Sequence, residues 1–492
     1  MREHAPVLMV VVPLFGAVLA ALVRRPGPAF AVALACGFAV AALAIDLAVA
    51  VSAGGPISYR LGGWAPDVGI EYRVDALNVP ILLLLGVTAA VATVYARRSV
   101  ASELPVGRVA WFYALYLLCL TGLIGIALTN DAFNAFVFLE ISSLATYAMI
   151  ALGRDRRALV AAYQYLIIGT IGATFYVIGV GFLFLATGTL NLSLIAERLG
   201  EAEAARAVVT GLAFVLVGIA MKVALFPLHL WLPNAYAYAP SFATVFLGAT
   251  ATKVAVYLLF RYVFSVFGAA FVFEALPTGA LLIALSLAAA FGASTVAIFQ
   301  SDVKRLLAYS SVGQIGYATL GLALGNAAGL TGGLVHLLNH AMMKGAAFMA
   351  VGAVVFRLGT CRLEAFAGLG RAMPATMAAL TVAGLGLIGV PGTAGFVSKW
   401  YLIKGALEAG MPWLALLIVA SSILALLYVG RLVELIWLRP RPADAAPVAE
   451  APLELLLPTL ALAAATIWFG LDTRFTAGLA QAATVGLFGG AR

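Results

Sequence analysis

The 492-residue chain is strongly apolar: 64% of its residues are hydrophobic, 10% are charged, and its mean hydropathy is +1.07. This composition excludes an ordinary soluble globular protein and is typical of a polytopic membrane protein. The net charge of +8 falls mainly in loops that set membrane topology, so it does not indicate a nucleic-acid partner.

Long unbroken apolar runs predict an all-α polytopic fold, because such runs favour spanning helices over the alternating strands of a membrane barrel. With about 20 apolar residues needed for each crossing, we count about fourteen spanning helices. In chain order, the predicted spans cover residues 5-23, 29-51, 77-95, 109-128, 131-152, 160-187, 207-231, 240-260, 278-299, 304-324, 329-356, 373-402, 411-437 and 453-471.

Arginine and lysine are divided unevenly between the alternate loops of this arrangement. The richer set faces the cytoplasm under the positive-inside rule, which predicts a multi-pass protein of a bacterial plasma (inner) membrane with both termini outside. The first apolar run is followed by many others and lacks a convincing cleavage site, so we interpret it as a retained span. The segment LRPRPADAAPVAEAP, residues 438-452, is predicted to be a loose cytoplasmic loop.

The three cysteines, Cys36, Cys119 and Cys361, stand singly within apolar runs. Such spacing indicates neither a disulfide framework nor a metal or iron–sulfur site. The sequence also lacks a fingerprint for a nucleotide, flavin, haem or quinone, so no cofactor is predicted and any redox chemistry would belong to partner subunits.

Several ionisable side chains fall inside the predicted spans, where each costs about 2.5–3.5 kcal/mol unless it finds a partner or water. Glu140 is the clearest intramembrane acid. Four lysines at such positions are hard to explain by packing and therefore indicate a function: Lys222, Lys253, Lys344 and Lys399.

Two further charged residues do not belong to any motif. Asp46 lies in an apolar run, and its role stays open. Arg431 lies three residues before Glu434 near a predicted helix end, where it can extend its charged group to the interface.

Two predicted spans combine a lysine with a helix-breaking proline. Pro227 follows Lys222 by five residues, and Pro391 precedes Lys399 by eight within a glycine-rich stretch. Proline frees a backbone carbonyl, and broken backbone inside a membrane is tolerated only within protein or beside water. We therefore predict water near these lysines; packing kinks with statically paired lysines are the alternative.

A third motif is the stripe His336, His340 and Lys344, whose i, i+4, i+8 spacing places all three on one face of a helix. Histidine titrates near neutrality, so the stripe is interpreted as a proton relay. Two histidines at i, i+4 also resemble a zinc site, but no glutamate lies between them and the third residue is lysine, so no metal is predicted.

Together these segments resemble the proton-translocating antiporter-like subunits shared by respiratory complex I and Mrp-type cation/proton antiporters. The resemblance covers nearly the whole chain. It is carried by FLEISSLATYAMIALG at 138-153, MKVALFPLHLWLPNAY at 221-236, SDVKRLLAYSSVGQIGY at 301-317, HLLNHAMMKGAAF at 336-348 and GVPGTAGFVSKW at 389-400.

The resemblance implies two inverted five-helix repeats, each containing a discontinuous helix. Four segments follow from it: amino-terminal helices at 1-108, a first repeat at 109-265, a second at 278-437, and a loop with the last helix at 438-492. It also implies partner membrane subunits, and a proton-translocating set formed by Glu140, Lys222, Lys253, His336, His340, Lys344 and Lys399.

Within the family, the nearest resemblance is to the D subunit of the Mrp antiporters, which implies coupling of protons to Na⁺. The chain ends soon after its last predicted span, without the long lateral helix of one complex I subunit or the carboxy-terminal extension of the Mrp A subunit. One complex I paralogue has glutamate where this chain has Lys399. The alternatives are a subunit of complex I, of a membrane hydrogenase or of a bicarbonate-uptake system, a scaffold without its own ion path, and a solute permease.

Overall fold

The computed structural model of the protein describes residues 2–200, 205–274, 276–443 and 447–489. In the amino-terminal half, a short hairpin and eleven α-helices follow one another as α1 (Ala5–Val23), α2 (Pro26–Gly54), β1 (Ile57–Arg60), β2 (Glu71–Val74), α3 (Val79–Glu103), α4 (Val106–Leu128), α5 (Ala132–Ala151), α6 (Arg157–Thr187), α7 (Leu192–Leu199), α8 (Ala205–Val223), α9 (Trp231–Tyr238), α10 (Ser241–Ala249) and α11 (Ala251–Phe260).

The remaining helices are α12 (Ala269–Phe273), α13 (Thr278–Ala288), α14 (Ser294–Ile298), α15 (Val303–Ala323), α16 (Ala327–Leu358), α17 (Leu369–Ala372), α18 (Pro374–Ile388), α19 (Ala394–Glu408), α20 (Pro412–Val433), α21 (Leu453–Leu471) and α22 (Arg474–Gly489). Three π-helical turns extend or join neighbouring helices at Arg261–Val266, Ala289–Ala293 and Glu434–Leu438.

The predicted all-α membrane architecture is confirmed. Within the described residues, twelve helices are long and apolar enough to cross a membrane. The two other predicted spans also correspond to helices: 304-324 matches α15, and 373-402 divides into the shorter α18 and α19. α18 is apolar but only 15 residues long, and α19 is equally short, so neither crosses a membrane alone by length.

The predicted break near Lys222 is present, but its geometry differs from the expectation. The α8 helix ends at Val223, where Ala224 takes a positive φ of 60°, and helix resumes only at Trp231. Pro227 therefore lies inside the non-helical segment and does not interrupt a continuing helix. The indole of Trp231 donates a 3.0 Å hydrogen bond to the carbonyl of Met221 and satisfies one carbonyl that the ended helix leaves free.

The second predicted break lies between α18 and α19. Gly389 and Gly392 both adopt a φ of 86°, a conformation that favours glycine, and Pro391 lies between them. The chain thus turns through five non-helical residues, 389-393, before α19 begins, as the glycine-rich sequence predicted.

One interruption was not predicted. The expected span 240-260 is divided at Thr250, whose backbone (φ −121°, ψ −58°) separates α10 from α11, and it continues as a π-helix to Val266. The interruption at Thr250 and the π-helical turn at Arg261–Val266 therefore border α11, the helix that carries Lys253. π-Helical turns are frequent at functional sites.

Two helix pairs share an arrangement. Asp131 caps the start of α5 and forms an isolated β-bridge with Asn191, which follows α6; likewise Asp302 caps α15 and bridges Arg362, which follows α16. In each half a discontinuous helix pair comes next in the chain. This likeness supports an internal repeat, while the inverted relation and the four predicted segment boundaries stay predictions.

The hairpin β1–β2 is antiparallel, with Ile57 opposite Val74, and it covers one end of the helical bundle. The carboxylate of Glu71 on β2 accepts hydrogen bonds from Ser58, from Asn130 at 2.8 Å and from Asn191 at 2.9 Å. Burial alone would raise the pKa of Glu71, but these donors outweigh it and hold that pKa below its ordinary value. The cluster ties the hairpin to the starts of α5 and α7.

Candidate ion-translocation axis

The first predicted pair, Glu140 on α5 and Lys222 on α8, is brought together by α6, which packs against both helices. The Lys222 ammonium lies 3.5 Å from Glu140 Oε1 and donates a 2.7 Å hydrogen bond to Ser143 Oγ. The lysine side chain is 6% exposed and the glutamate side chain 24%. The lysine is therefore almost fully buried, while its counter-ion retains access to the protein surface.

A small cavity of about 20 Å³ adjoins Lys222, lined in part by Ser142, Ser143 and Thr146. One water needs roughly 10–15 Å³ measured in this way and two or more polar partners. The cavity beside the break after α8 is large enough for one water and has hydroxyl groups in its wall; water near Lys222 stays a prediction. Its far wall contains Ala251 and Ala255 of α11, the helix that carries Lys253.

Lys253 is buried (1% exposed), and its ammonium donates to the carbonyl of Gly248 across the interruption at Thr250. Its helix forms the wall of the cavity that faces Lys222. α10, which ends at the same interruption, packs against α16, the helix that carries the stripe of His336, His340 and Lys344. The interruption thus places this lysine between the first pair and the stripe on α16.

The stripe on α16 is fully buried, with His336 1%, His340 2% and Lys344 0% exposed. The two imidazole rings are nearly parallel, with centroids 5.6 Å apart and an interplanar angle of 11°. The Lys344 ammonium donates instead to the carbonyl of Leu307, at 2.8 Å. The predicted one-face arrangement is present, and its third member is anchored on α15.

The hydrogen bonds of Ser398 fix the tautomer of His336. Its hydroxyl donates to the carbonyl of Gly395 at 2.9 Å, so it accepts from Nδ1 of His336, also at 2.9 Å. Nε2 of His336 is then an acceptor, and among the described residues it is buried without a hydrogen-bond partner, as is Nε2 of His340. An open acceptor nitrogen, which His336 has in this tautomer, is what a proton relay requires.

Lys399 on α19 lies at the carboxyl end of α18. Its ammonium donates to the carbonyl of Ile388 and to Ser422 Oγ, both at 2.7 Å, and lies 4.7 Å from the ring centre of Tyr317. The break at Pro391 thus supplies the carbonyl that this lysine uses. Lys399 also interacts electrostatically with His336, which links the stripe to the end of the axis.

Sequence reasoning missed the side chains that bind the second break. Gln314 on α15 donates to the carbonyl of Leu387 at 3.1 Å, and Asn339 on α16 donates to that of Ala394 at 2.6 Å. Both residues lie within motifs that carried the family resemblance, and a polar amide in an apolar span was the available signal. Gln314 thus satisfies a carbonyl at the end of α18, and Asn339 ties the first residue of α19 to α16.

Three other charged residues were left outside the axis. Arg431 donates to the carbonyls of Ile298 at 2.7 Å and Gln300 at 3.3 Å, which anchors it near its helix end. Lys304, the first residue of the predicted span 304-324, is buried in the first turn of α15 and donates to the carbonyl of Ala239 at 3.1 Å. Asp46 is partly buried on α2 and makes an interaction of its own. Within the described residues, no group of three or more His, Cys, Asp or Glu is arranged to hold a metal ion.

The fold and the axis define a class: a polytopic membrane protein with a buried line of lysine and histidine side chains that begins at one carboxylate. The chain belongs to the NADH:quinone oxidoreductase/Mrp antiporter transmembrane family, whose model matches residues 129–425. It is an antiporter-like membrane subunit of the Mrp or complex I type, and other membrane subunits are its partners.

Three relatives represent this family. The N subunit of NADH-quinone oxidoreductase from Desulforudis audaxviator is 42% identical over 490 residues, 96% of each chain. The D subunit of the Na⁺/H⁺ antiporter from Alkalihalophilus pseudofirmus is 31% identical over 373 residues, 75% of this chain and 74% of that one. A chain of the Mrp complex from a Dietzia species superposes with a TM-score of 0.90 at 27% identity, covering 100% of this chain and 98% of that one.

Proposed function

We propose that this chain translocates protons along the buried axis as one subunit of a multisubunit assembly in a bacterial inner membrane. The proton path begins at Glu140 and Lys222, continues through Lys253 and the stripe on α16, and ends at Lys399. The observation that carries the proposal is the Glu140–Lys222 pair beside a water-sized cavity at a helix break.

The pair acts as a switch because two opposing effects meet at Lys222. Burial disfavours the charged ammonium, whereas the Glu140 carboxylate at 3.5 Å favours it. Withdrawing Glu140, or bringing another cation to it, tips the balance toward the neutral amine. The proton released then passes through the cavity toward Lys253.

A Lys222→Arg variant tests this mechanism. Arginine keeps its positive charge and can pair with Glu140, but it does not release a proton in proteins. We expect the variant to assemble at near-normal levels and to form little ΔpH in inverted membrane vesicles. Lys404→Arg is the matched control, since Lys404 is 57% exposed and its ion pair is with Glu408 on its own helix.

A scaffold role for Lys222 leads to the opposite result. If the lysine only holds a charge in place, Lys222→Arg should transport normally, and that outcome would refute the proton-carrier assignment. Lys222→Ala should impair assembly under either mechanism, because removing one partner of a buried ion pair costs about 3–5 kcal/mol.

For the assembly, we propose a Na⁺/H⁺ antiporter in which this chain occupies the position of the Mrp D subunit. Support comes from the full-length superposition on the Mrp chain and from the Na⁺/H⁺ antiporter relative. A second candidate, a proton-pumping subunit of a complex I-like or related redox assembly, is favoured by the relative with 42% identity over nearly the whole chain.

Purification from the native membrane in mild detergent separates these two assemblies. Small antiporter subunits, together with Na⁺-dependent dissipation of ΔpH in inverted vesicles, would support the antiporter. Co-purifying flavin and iron–sulfur proteins, with no response to Na⁺, would support the redox assembly instead.

A further inference from the structure

A second polar stripe leaves the axis at Lys253. Lys253, Tyr257 and Arg261 follow one another at i, i+4, i+8 along α11 into the first residue of the π-helical turn, so each lies about 6 Å beyond the last. All three are buried, at 1%, 1% and 9% exposed. The stripe leads from the axis toward the end of the bundle that the β1–β2 hairpin covers.

Continuous hydrogen bonds connect the outer half of this stripe. Arg261 Nε and Nη2 donate to the phenol oxygen of Tyr257 at 3.2 and 3.1 Å, and that phenol donates to the carbonyl of Ala127 at 3.1 Å. On its far side, the guanidinium binds both carboxylate oxygens of Asp75, at 2.7 and 2.8 Å. The stripe therefore ends in a bidentate ion pair.

Asp75 is fixed in position by its own loop, where the backbone N–H groups of Leu77 and Asn78 donate to it at 3.0 and 3.2 Å. Burial would raise its pKa, but the Arg261 guanidinium outweighs that effect and holds the pKa of Asp75 below its ordinary value. A second cation is close by, with Nε of Arg73 3.6 Å from Oδ2 of Asp75. The carboxylate is therefore a fixed anion that holds Arg261.

A cavity of about 570 Å³, with both polar and apolar walls, lies directly beyond this pair. Its floor includes Asp75 and Arg261, its walls include Asn130 and Ser193, and its rim reaches the exposed Glu197. We call this cavity the hairpin vestibule. It has room for many waters, whereas the stripe behind the ion pair is packed.

We infer that the Asp75–Arg261 pair is a gate between the hairpin vestibule and Lys253, and that ions reach or leave the axis here when the pair separates. This inference rests on the proposed function of the axis. Arginine suits a gate because it stays protonated, so it closes the path without carrying a proton itself. The bidentate pair, the two hydrogen bonds to the Tyr257 phenol and a longer one from Arg261 to Ser265 Oγ at 3.5 Å hold the guanidinium between the vestibule and the stripe.

The test measures access to a cysteine placed behind the gate, in the intact assembly in its native membrane. Tyr257→Cys is the reporter; because it removes both hydrogen bonds from Arg261 to the phenol, the Asp75–Arg261 pair is the barrier that remains in every reporter background. A membrane-impermeant methanethiosulfonate is applied to sealed cells and, separately, to inverted vesicles. Ser265→Cys in the vestibule wall shows which side of the membrane the vestibule faces. The assembly without an added cysteine supplies the background of Cys36, Cys119 and Cys361.

Opening the gate with Asp75→Asn should speed labelling of the reporter by about tenfold or more from the vestibule side, because labelling follows the open fraction. Glu71→Gln is the matched control, because it removes the charge of a nearby carboxylate on β2 that is not part of the stripe. A buried cysteine at Phe260, on the same helix, should stay unreactive. If Asp75→Asn does not assemble, Arg261→Lys, which cannot form the bidentate pair, replaces it.

Equal labelling with and without Asp75→Asn would overturn the gate, as would equal acceleration by Glu71→Gln or at Phe260, which would indicate general loosening of the hairpin. The labelling needs no transport activity. Normal transport by Lys222→Arg would therefore refute the proposed function without affecting this result, and unchanged labelling beside an inactive Lys222→Arg would refute the gate alone.

Discussion

Gly389 offers a sharp test of whether the position of Lys399 matters for transport. Its φ of 86° lies in the left-handed region, and a Cβ added there would meet Cδ of Lys399 at 2.9 Å and its Nζ at 3.4 Å. Ordinary contacts lie at 3.4–4 Å, so Gly389→Ala must push the lysine away from the carbonyl of Ile388 that it now binds at 2.7 Å.

Two effects of this substitution have to be separated. An alanine with a positive φ costs about 1–2 kcal/mol of stability wherever it occurs. Displacing Lys399 adds a second loss, because a hydrogen bond from a charged group contributes about 1.5–3 kcal/mol. If that loss falls on the transport step, the rate drops about tenfold for each 1.4 kcal/mol.

Gly410 is the matched control. Its φ of 69° imposes a similar backbone strain, but an added Cβ there would have no neighbour within 4 Å. Both alanine variants should therefore lose thermal stability in detergent through backbone strain, and Gly389→Ala should lose at least as much as Gly410→Ala because the hydrogen bond of Lys399 is also disturbed. Only Gly389→Ala should also lose transport, by about tenfold or more at equal amounts of assembled complex. Equal transport by the two variants would refute the argument that the contacts of Lys399 at the break set the rate.

Two further predictions follow from other parts of the molecule. His336→Ala should leave the complex assembled and lower proton transfer in inverted vesicles by about tenfold or more, whereas the control His4→Ala at an exposed histidine should have no effect; full activity of the first variant would exclude it from the relay. Because the pKa of Glu71 is lowered in the folded protein, its stabilising effect is present above the ordinary carboxyl pKa of about 4 and is lost as pH falls through the lowered value. The thermal midpoint should therefore decrease as the pH is lowered below about 4, and it should decrease less steeply in Glu71→Gln. Identical slopes of thermal midpoint against pH in the two proteins would show that Glu71 does not contribute.

The sequence predicted features that depend on composition and local chemistry. Apolar runs identified the spans, and lysines inside them identified the axis, because an unpaired charge is costly in a membrane wherever the helix packs. Pro391 and the neighbouring glycines located the second break, because proline and glycine disrupt a helix through their own backbone geometry. Pro227 located the first break to within a few residues, although the helix ends earlier, at Val223.

Features that depend on packing between distant segments were missed. The chain separates Asp75 from Arg261 by 186 residues and His336 from Ser398 by 62, and no local pattern joins either pair. The interruption at Thr250 carries neither proline nor glycine at the break itself, so it has no sequence signal of the kind used for the other two. The packing of the whole helical bundle determines which side chains pair in these two cases, and it also determines the interruption of the helix at Thr250.

The two ends of the axis hold their lysines by different means, and in the proposed mechanism this difference gives the proton path a direction of control. Lys222 pairs with the side chain of Glu140, which is 24% exposed and can move. Lys399 instead binds backbone carbonyls at the carboxyl end of α18 and a serine hydroxyl, groups whose positions the fold fixes. A signal from a neighbouring subunit can therefore change the charge balance at Lys222 by displacing one carboxylate, whereas Lys399 has a constant environment. On this argument the trigger lies at Glu140, and Lys399 responds only to the charge state of the groups that precede it.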